Sequence, residues 1–341
     1  MKRREVFIDI TRALAMFLII LGHVLVHSQH CKLIFKFIYS FHVVLFFIIS
    51  GYTFKIENKE KFSSFFVYKF KKILVPYFIW AFLFLIPYSL FGKQTSQIID
   101  NTFSFNIVEM IKNIFYGNGI NEALKQNTSL WFLPALFTTE ILYYLLIKQF
   151  NQNKKYILLI IMFISGYVYY NFVNINLPFG LNSFIEIGIF FYIGYLLKKE
   201  NIFAGSSITI KKISVFVFLI IGLAGFYHNS LVSCVDYEYG KYMLFLVVAF
   251  SNSMFFLILS FYIKSNMCLE FIGRNTMGIL IFHKLIVIVF QTKMGFITSK
   301  LLNSNIIIEL GLSIIISIIS IIFSLLINEI LKKTLPFTVG K

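Results

Sequence analysis

Ten stretches of this chain are apolar for long enough to cross a lipid bilayer, and that recurrence governs every later step of folding. A spanning helix needs about 20 consecutive, mostly apolar residues. Runs of this kind fall at 6–26, 33–54, 73–91, 128–147, 156–173, 180–197, 213–227, 241–263, 276–291 and 306–331. In hydrocarbon every backbone N–H and C=O must be satisfied within the protein, so such runs become helices. The expected fold is an all-α, polytopic integral membrane helical bundle of about ten transmembrane helices. It is expected to be one membrane-embedded domain over residues 1–341, with no soluble domain fused to it. Composition agrees: 58% of residues are hydrophobic and 13% charged, about half the charged share of a soluble domain.

The net charge of +16 is not a nucleic-acid signature, because the basic residues sit in short loops between apolar runs, where they set topology. With the N-terminus inside, the inner segments hold 21 Lys and Arg and the outer loops seven. Both termini are therefore expected in the cytoplasm, and the protein in the inner (cytoplasmic) membrane. Lys2, Arg3 and Arg4 lead into a full-length span with no small-residue cleavage site, so the start is not read as a removable signal. Three scattered cysteines make no disulfide framework, and no cluster of ligating residues implies a metal.

The first span, VFIDITRALAMFLIILGHVLV, carries Asp9, Arg12 and His23. Ionisable groups in a span are costly and mark functional sites. At about 100° per residue, His23 falls within about 20° of Arg12 and about 40° of Asp9 on the helix surface. Met16 and Ile19 lie on the same stripe, and Arg12 and His23 are about 16 Å apart along the axis. One helix thus holds an ion pair toward one membrane face and an imidazole toward the other.

Two loops stand out. The inner one, from Lys55 to Lys72, ends in SSFFVYKFKK, a basic aromatic stretch suited to the inner membrane surface or to a phosphorylated ligand. The outer one, from Gly92 to Asn127, contains IVEMIKNIFY at 107–116, whose apolar residues recur at helical spacing and predict an interfacial helix.

The run RxxxIDITRAxxxFLIILGHV, with FHVVLFFIISGY at 41–52, resembles the N-terminal signature of the acyltransferase family 3 membrane proteins. It is most similar to their fucose O-acetylase-like and polysaccharide O-acetyltransferase branch. Arg12 and His23 match that family's basic residue followed after ten residues by histidine. Phe41, His42, Leu45, Phe46, Phe47, Ser50, Gly51 and Tyr52 match the second motif, with Val44 where the family usually has proline. WFLPALF (131–137) and FIGRNTMGILIFH (271–283) resemble two later motifs. Lys69 and Lys72, before Pro76 and Tyr77, stand where an Arg-x-x-Arg pair is usual, which keeps the charge and loses the bidentate geometry.

The resemblance implies transfer of an acyl group, usually acetyl from acetyl-CoA, to a hydroxyl of a cell-surface sugar. Chemistry read from the residues agrees. A sugar hydroxyl becomes a nucleophile when a base removes its proton, and an imidazole suits that task. His23 is expected to be that base or a transient acyl carrier, with Asp9 and Arg12 as its catalytic companions. Arg12, Lys69, Lys71 and Lys72 are expected to hold the donor's phosphates, and His42, Trp131, Glu140 and Glu186 the acceptor. Expected partners are membrane lipid, acetyl-CoA and a glycan acceptor, with a homo-oligomer or a glycan-assembly partner left open.

Each residue also has a bland reading. Asp9 can simply pair with Arg12, one turn away, and Arg12 can snorkel to lipid phosphate. His42 and His283, the latter beside Lys284, can be satisfied bundle histidines, and His27 can be exposed to water. Trp131 can belong to an aromatic belt. Glu140 and Glu186 can tie helices together, and Ser50-Gly51 can serve close packing. Among functions, the alternative is a transporter of a sugar or lipid-linked glycan using the buried acids and histidines. Inverted repeats would favour it, and no repeat is visible. A purely structural scaffold leaves the charged stripe unexplained.

Overall fold

The computed structural model describes residues 5–26, 28, 30–57, 60–90, 106–150, 154–173, 175–205, 207–263, 265–293 and 305–341. His27 and the charges at Lys2, Arg3, Arg4, Lys59, Lys93, Lys264 and Lys300 lie outside them. Among the described residues, β-structure is confined to one antiparallel bridge, Ser233 with Glu238.

In chain order the helices are α1 (Val6–Leu25), α2 (Lys32–Tyr39), α3 (His42–Thr53), α4 (Phe62–Lys69), α5 (Val75–Leu83), α6 (Ile107–Tyr116), α7 (Phe132–Gln149) and α8 (Lys155–Phe172). They continue as α9 (Leu181–Lys199), α10 (Ile202–Gly205), α11 (Ile208–His228), α12 (Tyr242–Tyr262), α13 (Met267–Arg274), α14 (Thr276–Lys293) and α15 (Ile306–Thr334). Nine of the described helical segments are long and apolar enough to span a bilayer, and a bent pair makes a tenth. The protein is therefore an all-α, multi-pass membrane bundle.

Three spans differ in detail from the expectation. The second breaks at Ser40 and Phe41, so His42 opens a new helix, α3. The third begins early: α4 runs through a π-helical turn, Phe70–Leu74, into α5, and the helical segment extends from Phe62 to Leu90. SSFFVYKFKK is thus helical and continuous with the span, and it exposes Phe66, Tyr68 and Phe70. The ninth span is α13 and α14 meeting at 84° around Asn275. The expected helix at 107–116 is present as α6. The Asn106 side chain caps it by accepting from the N–H of Val108 and Glu109, and Tyr77 OH donates to Ile114 O at 2.7 Å, tying it to the third span.

Small residues set a close helix crossing. A Cβ added at Gly51 would fall on the Phe191 carbonyl, and one at Gly194 on the Ile48 carbonyl. α3 and α9 therefore meet backbone to backbone, the arrangement small residues permit in membranes. Gly51→Leu is expected to destabilise the protein by about 3 kcal/mol, read as an earlier thermal midpoint of the purified protein, whereas Ser50→Ala leaves that midpoint in place.

On α15 a buried polar stripe, Glu309, Ser313, Ser317, Ser320, Ser324 and Asn328, faces the bundle. Ser313, Ser317 and Ser320 donate back to the carbonyls four residues earlier, which satisfies their hydroxyls without a partner helix. By contrast, α8 and α11 bury little and turn Ile160, Ile164, Phe216 and Ile220 outward, as lipid-facing helices do.

Candidate active site

The stripe on α1 faces inward. Arg12, Met16, Ile19 and His23 all line one cavity of about 480 Å³, within the range of small-molecule sites. The other walls come from the end of α2, α3, the α4–α5 segment, the turn before α7 and α7 itself, the loop before α12, the α13–α14 bend, α15 and residues 339–341. None of the lining residues belongs to α8, α9, α11 or α12.

One end is basic. Arg12, Lys69, Lys72, Arg274, Lys332 and Lys341 line the cavity there, and Glu140 is the carboxylate side chain among the lining residues. Arg12 is held in place: Asp9, 2% exposed, lies 3.5 Å from its guanidinium, and Nη2 donates to Thr53 Oγ1 at 3.0 Å. Asp9 thus has the pairing role given by its bland reading, and it does not itself line the cavity. Gly273 sits over the Asp9 backbone carbonyl, where a Cβ would collide, so the bend after α13 packs directly on α1. Lys69 Nζ lies 2.7 Å from Glu140 Oε2, both side chains being largely buried.

The far end carries imidazoles and an indole. The His23 and His283 rings lie 5.3 Å apart, tilted. His283 is fully buried; its Nδ1 lies 2.9 Å from the Ile279 carbonyl and its Nε2 3.4 Å from Ser129 Oγ. A carbonyl only accepts, so His283 Nδ1 carries the proton and Nε2 accepts from Ser129. The same reasoning at His42, whose Nδ1 is 2.9 Å from the Ile38 carbonyl, leaves its Nε2 as an acceptor at the cavity wall. Among the described residues no hydrogen bond engages the His23 ring, so its nitrogens remain available to a ligand. Trp131 and Ser129 close this end together with Ser233, Cys234 and Val235 from the loop before α12.

Besides Asp9, two expected site residues lie off the cavity. Lys71 is exposed and off the cavity, because two residues from Lys69 is the opposite side of a helix. Glu186 is buried and off the cavity lining: Tyr242 OH donates to its backbone carbonyl, and its carboxyl lies by Tyr239 in the loop before α12. Its place fits helix tying rather than the cavity. Conversely, Arg274, Asn275, Asn328, Lys332 and Lys341 line the cavity and were not singled out from sequence. Only Arg274 and Asn275 carried a signal, as part of FIGRNTMGILIFH.

Cys234 raises the question of a thiol nucleophile. Burial pushes its pKa well above the ordinary thiol value, and the nearby Glu186 adds to the effect. At neutral pH it stays a thiol, which is inert. Cys234→Ser is expected to change the transfer rate less than about threefold, in the same membrane assay that scores the histidine variants.

A helical bundle around one chamber, cationic at one end and lined by histidines at the other, defines a polytopic membrane protein with an internal binding site. The chain belongs to acyltransferase family 3: the model of that family, described as an acyltransferase domain, matches residues 5–329. It is therefore a membrane acyltransferase. No curated protein matches it, and no solved structure does.

Proposed function

We propose that the protein is an O-acetyltransferase that moves acetyl from cytoplasmic acetyl-CoA to a hydroxyl of a surface polysaccharide or its lipid-linked precursor. The observation that carries this reading is the continuous α1 wall, with Arg12 at the basic end and His23 about 16 Å further along the axis. A phosphorylated donor with a long, thin thioester arm has that shape and that charge distribution. Lys69, Lys72 and Arg12 meet the phosphates, and the arm runs past Met16 and Ile19.

At the far end His23 takes the proton from the acceptor hydroxyl as its oxygen attacks the thioester carbonyl carbon. The C–S bond breaks, the imidazolium returns the proton to the departing sulfur, and CoA leaves as the thiol. His42 offers Nε2 to a second acceptor hydroxyl, and Trp131 offers a face on which a sugar ring can stack. Acetyl crosses the membrane within the chamber, and CoA stays on the cytoplasmic side.

The test is the surface glycan of cells carrying the wild-type chain or His23→Ala, compared by mass. Loss of one acetyl increment per repeat supports the reading. Identical glycans sink it.

A further inference from the structure

The basic end holds more cations than the signature motifs account for, and they fall at two depths. Lys69 lies deep, its side chain 13% exposed and paired with Glu140. Arg274 and Lys341 are exposed and still line the cavity, which puts them at its rim.

The rim is a built structure. After α15 the chain turns back through a 3₁₀ turn, Pro336–Val339, and Trp80 Nε1 donates to Thr338 O at 2.8 Å, pinning that turn to the third span. Gly340 adopts φ 71° against the Lys72 carbonyl, which brings Lys341 into the mouth beside Lys72. On the other side Lys332 hydrogen-bonds Asn275 Oδ1, at the α13–α14 bend, and also pairs with Glu329 at 2.6 Å. Thr276, Met277 and Gly278 line the cavity too, so the first turn of α14 presents the end of a helix that attracts anions. Arg274 stands immediately before it, held by a hydrogen bond from Nε to the Glu270 carbonyl at 3.1 Å.

We propose that Arg274, Lys332, Lys341 and the first turn of α14 form a second phosphate-binding site at and just inside the rim, distinct from Lys69 and Arg12, which α4 and α1 supply. Its ligand is a phosphate monoester on the nucleotide end of the donor. A monoester carries nearly two negative charges at neutral pH and keeps much of its hydration, so a wet rim with several cations suits it. The diphosphate, nearer the thioester arm, takes Lys69 and Arg12. Lys332 and Lys341 lie beyond the residues matched by the family model, so membership carries no role for them. The inference rests on the CoA-donor reading above and deepens it: the donor is recognised as a 3′-phosphorylated nucleotide.

The experiment compares binding of CoA and of 3′-dephospho-CoA to the purified full-length protein in lipid nanodiscs. Wild type is expected to bind CoA about tenfold more tightly. Lys332→Gln with Lys341→Gln is expected to lower CoA affinity to that of dephospho-CoA, whose own affinity does not change. Lys69→Gln in a Glu140→Gln background, as the contrasting variant, weakens both ligands alike, and the rim variant's unchanged affinity for dephospho-CoA shows that its effect is not general misfolding. Equal affinity of wild type for the two ligands overturns the rim site, as does undiminished discrimination in the double variant. No binding of either ligand to wild type overturns it together with the CoA-donor reading, and so separates the two failures.

Discussion

Replacing His23 with alanine is expected to lower acyl transfer by about 10²- to 10⁴-fold, the usual contribution of a positioned general base. Affinity for the donor is expected to stay within about twofold, because the cations that hold it are about 16 Å away along α1. The His23 side chain lines the cavity, and among the described residues no hydrogen bond engages its ring, so its loss breaks no hydrogen bond of the fold. Incubating wild type with radiolabelled acetyl-CoA in the absence of acceptor separates the two histidine chemistries. A general base retains no label, whereas a transient carrier leaves acetyl on the imidazole. Full activity of His23→Ala in membranes would remove both.

The second large effect is expected at Lys69 and Lys72. Lys69 and Glu140 form a buried pair, and removing one partner alone leaves an uncompensated charge that costs stability whatever the site does. The informative series therefore starts from Glu140→Gln. That change frees Lys69 from its carboxylate and is expected to preserve or raise donor affinity. Adding Lys69→Gln and Lys72→Gln is expected to weaken CoA binding by about 100-fold, two charge-assisted contacts at the lower end of their usual worth. If the triple variant binds CoA as wild type does, the basic end is not where the donor sits.

What the sequence disclosed, and what it withheld, follows from the range of the interactions. The spans were legible because bilayer thickness and backbone satisfaction act on every residue of a run. The α1 stripe was legible because helical periodicity places Arg12, Met16, Ile19 and His23 on one face whatever the neighbours are, and all four line the cavity. Periodicity does not say which neighbour a residue will meet. Glu140 and Glu186 looked alike as acids inside spans, yet one meets Lys69 across the chamber and the other has its carboxyl by Tyr239, off the cavity lining. Lys71 sat in the same basic run as Lys69 and Lys72, but the helix already formed at 62–69 points it away. The rim was hidden for a further reason. It depends on an 84° bend at Asn275 and on a tail folding back onto Trp80, long-range contacts with no local pattern.

The crossing of α3 on α9 bears on how the chamber is loaded. Two main chains touching through glycines have no side chains between them to swing aside, so the wall bearing Phe46, Ser50 and Thr53 is a fixed door-jamb. The opposite border is built otherwise: a sharp elbow at Asn275, a lysine latched to its amide, and a short tail pinned by one indole. Even there Gly273 rests main chain to main chain on Asp9, so the chamber is held to one width at both borders.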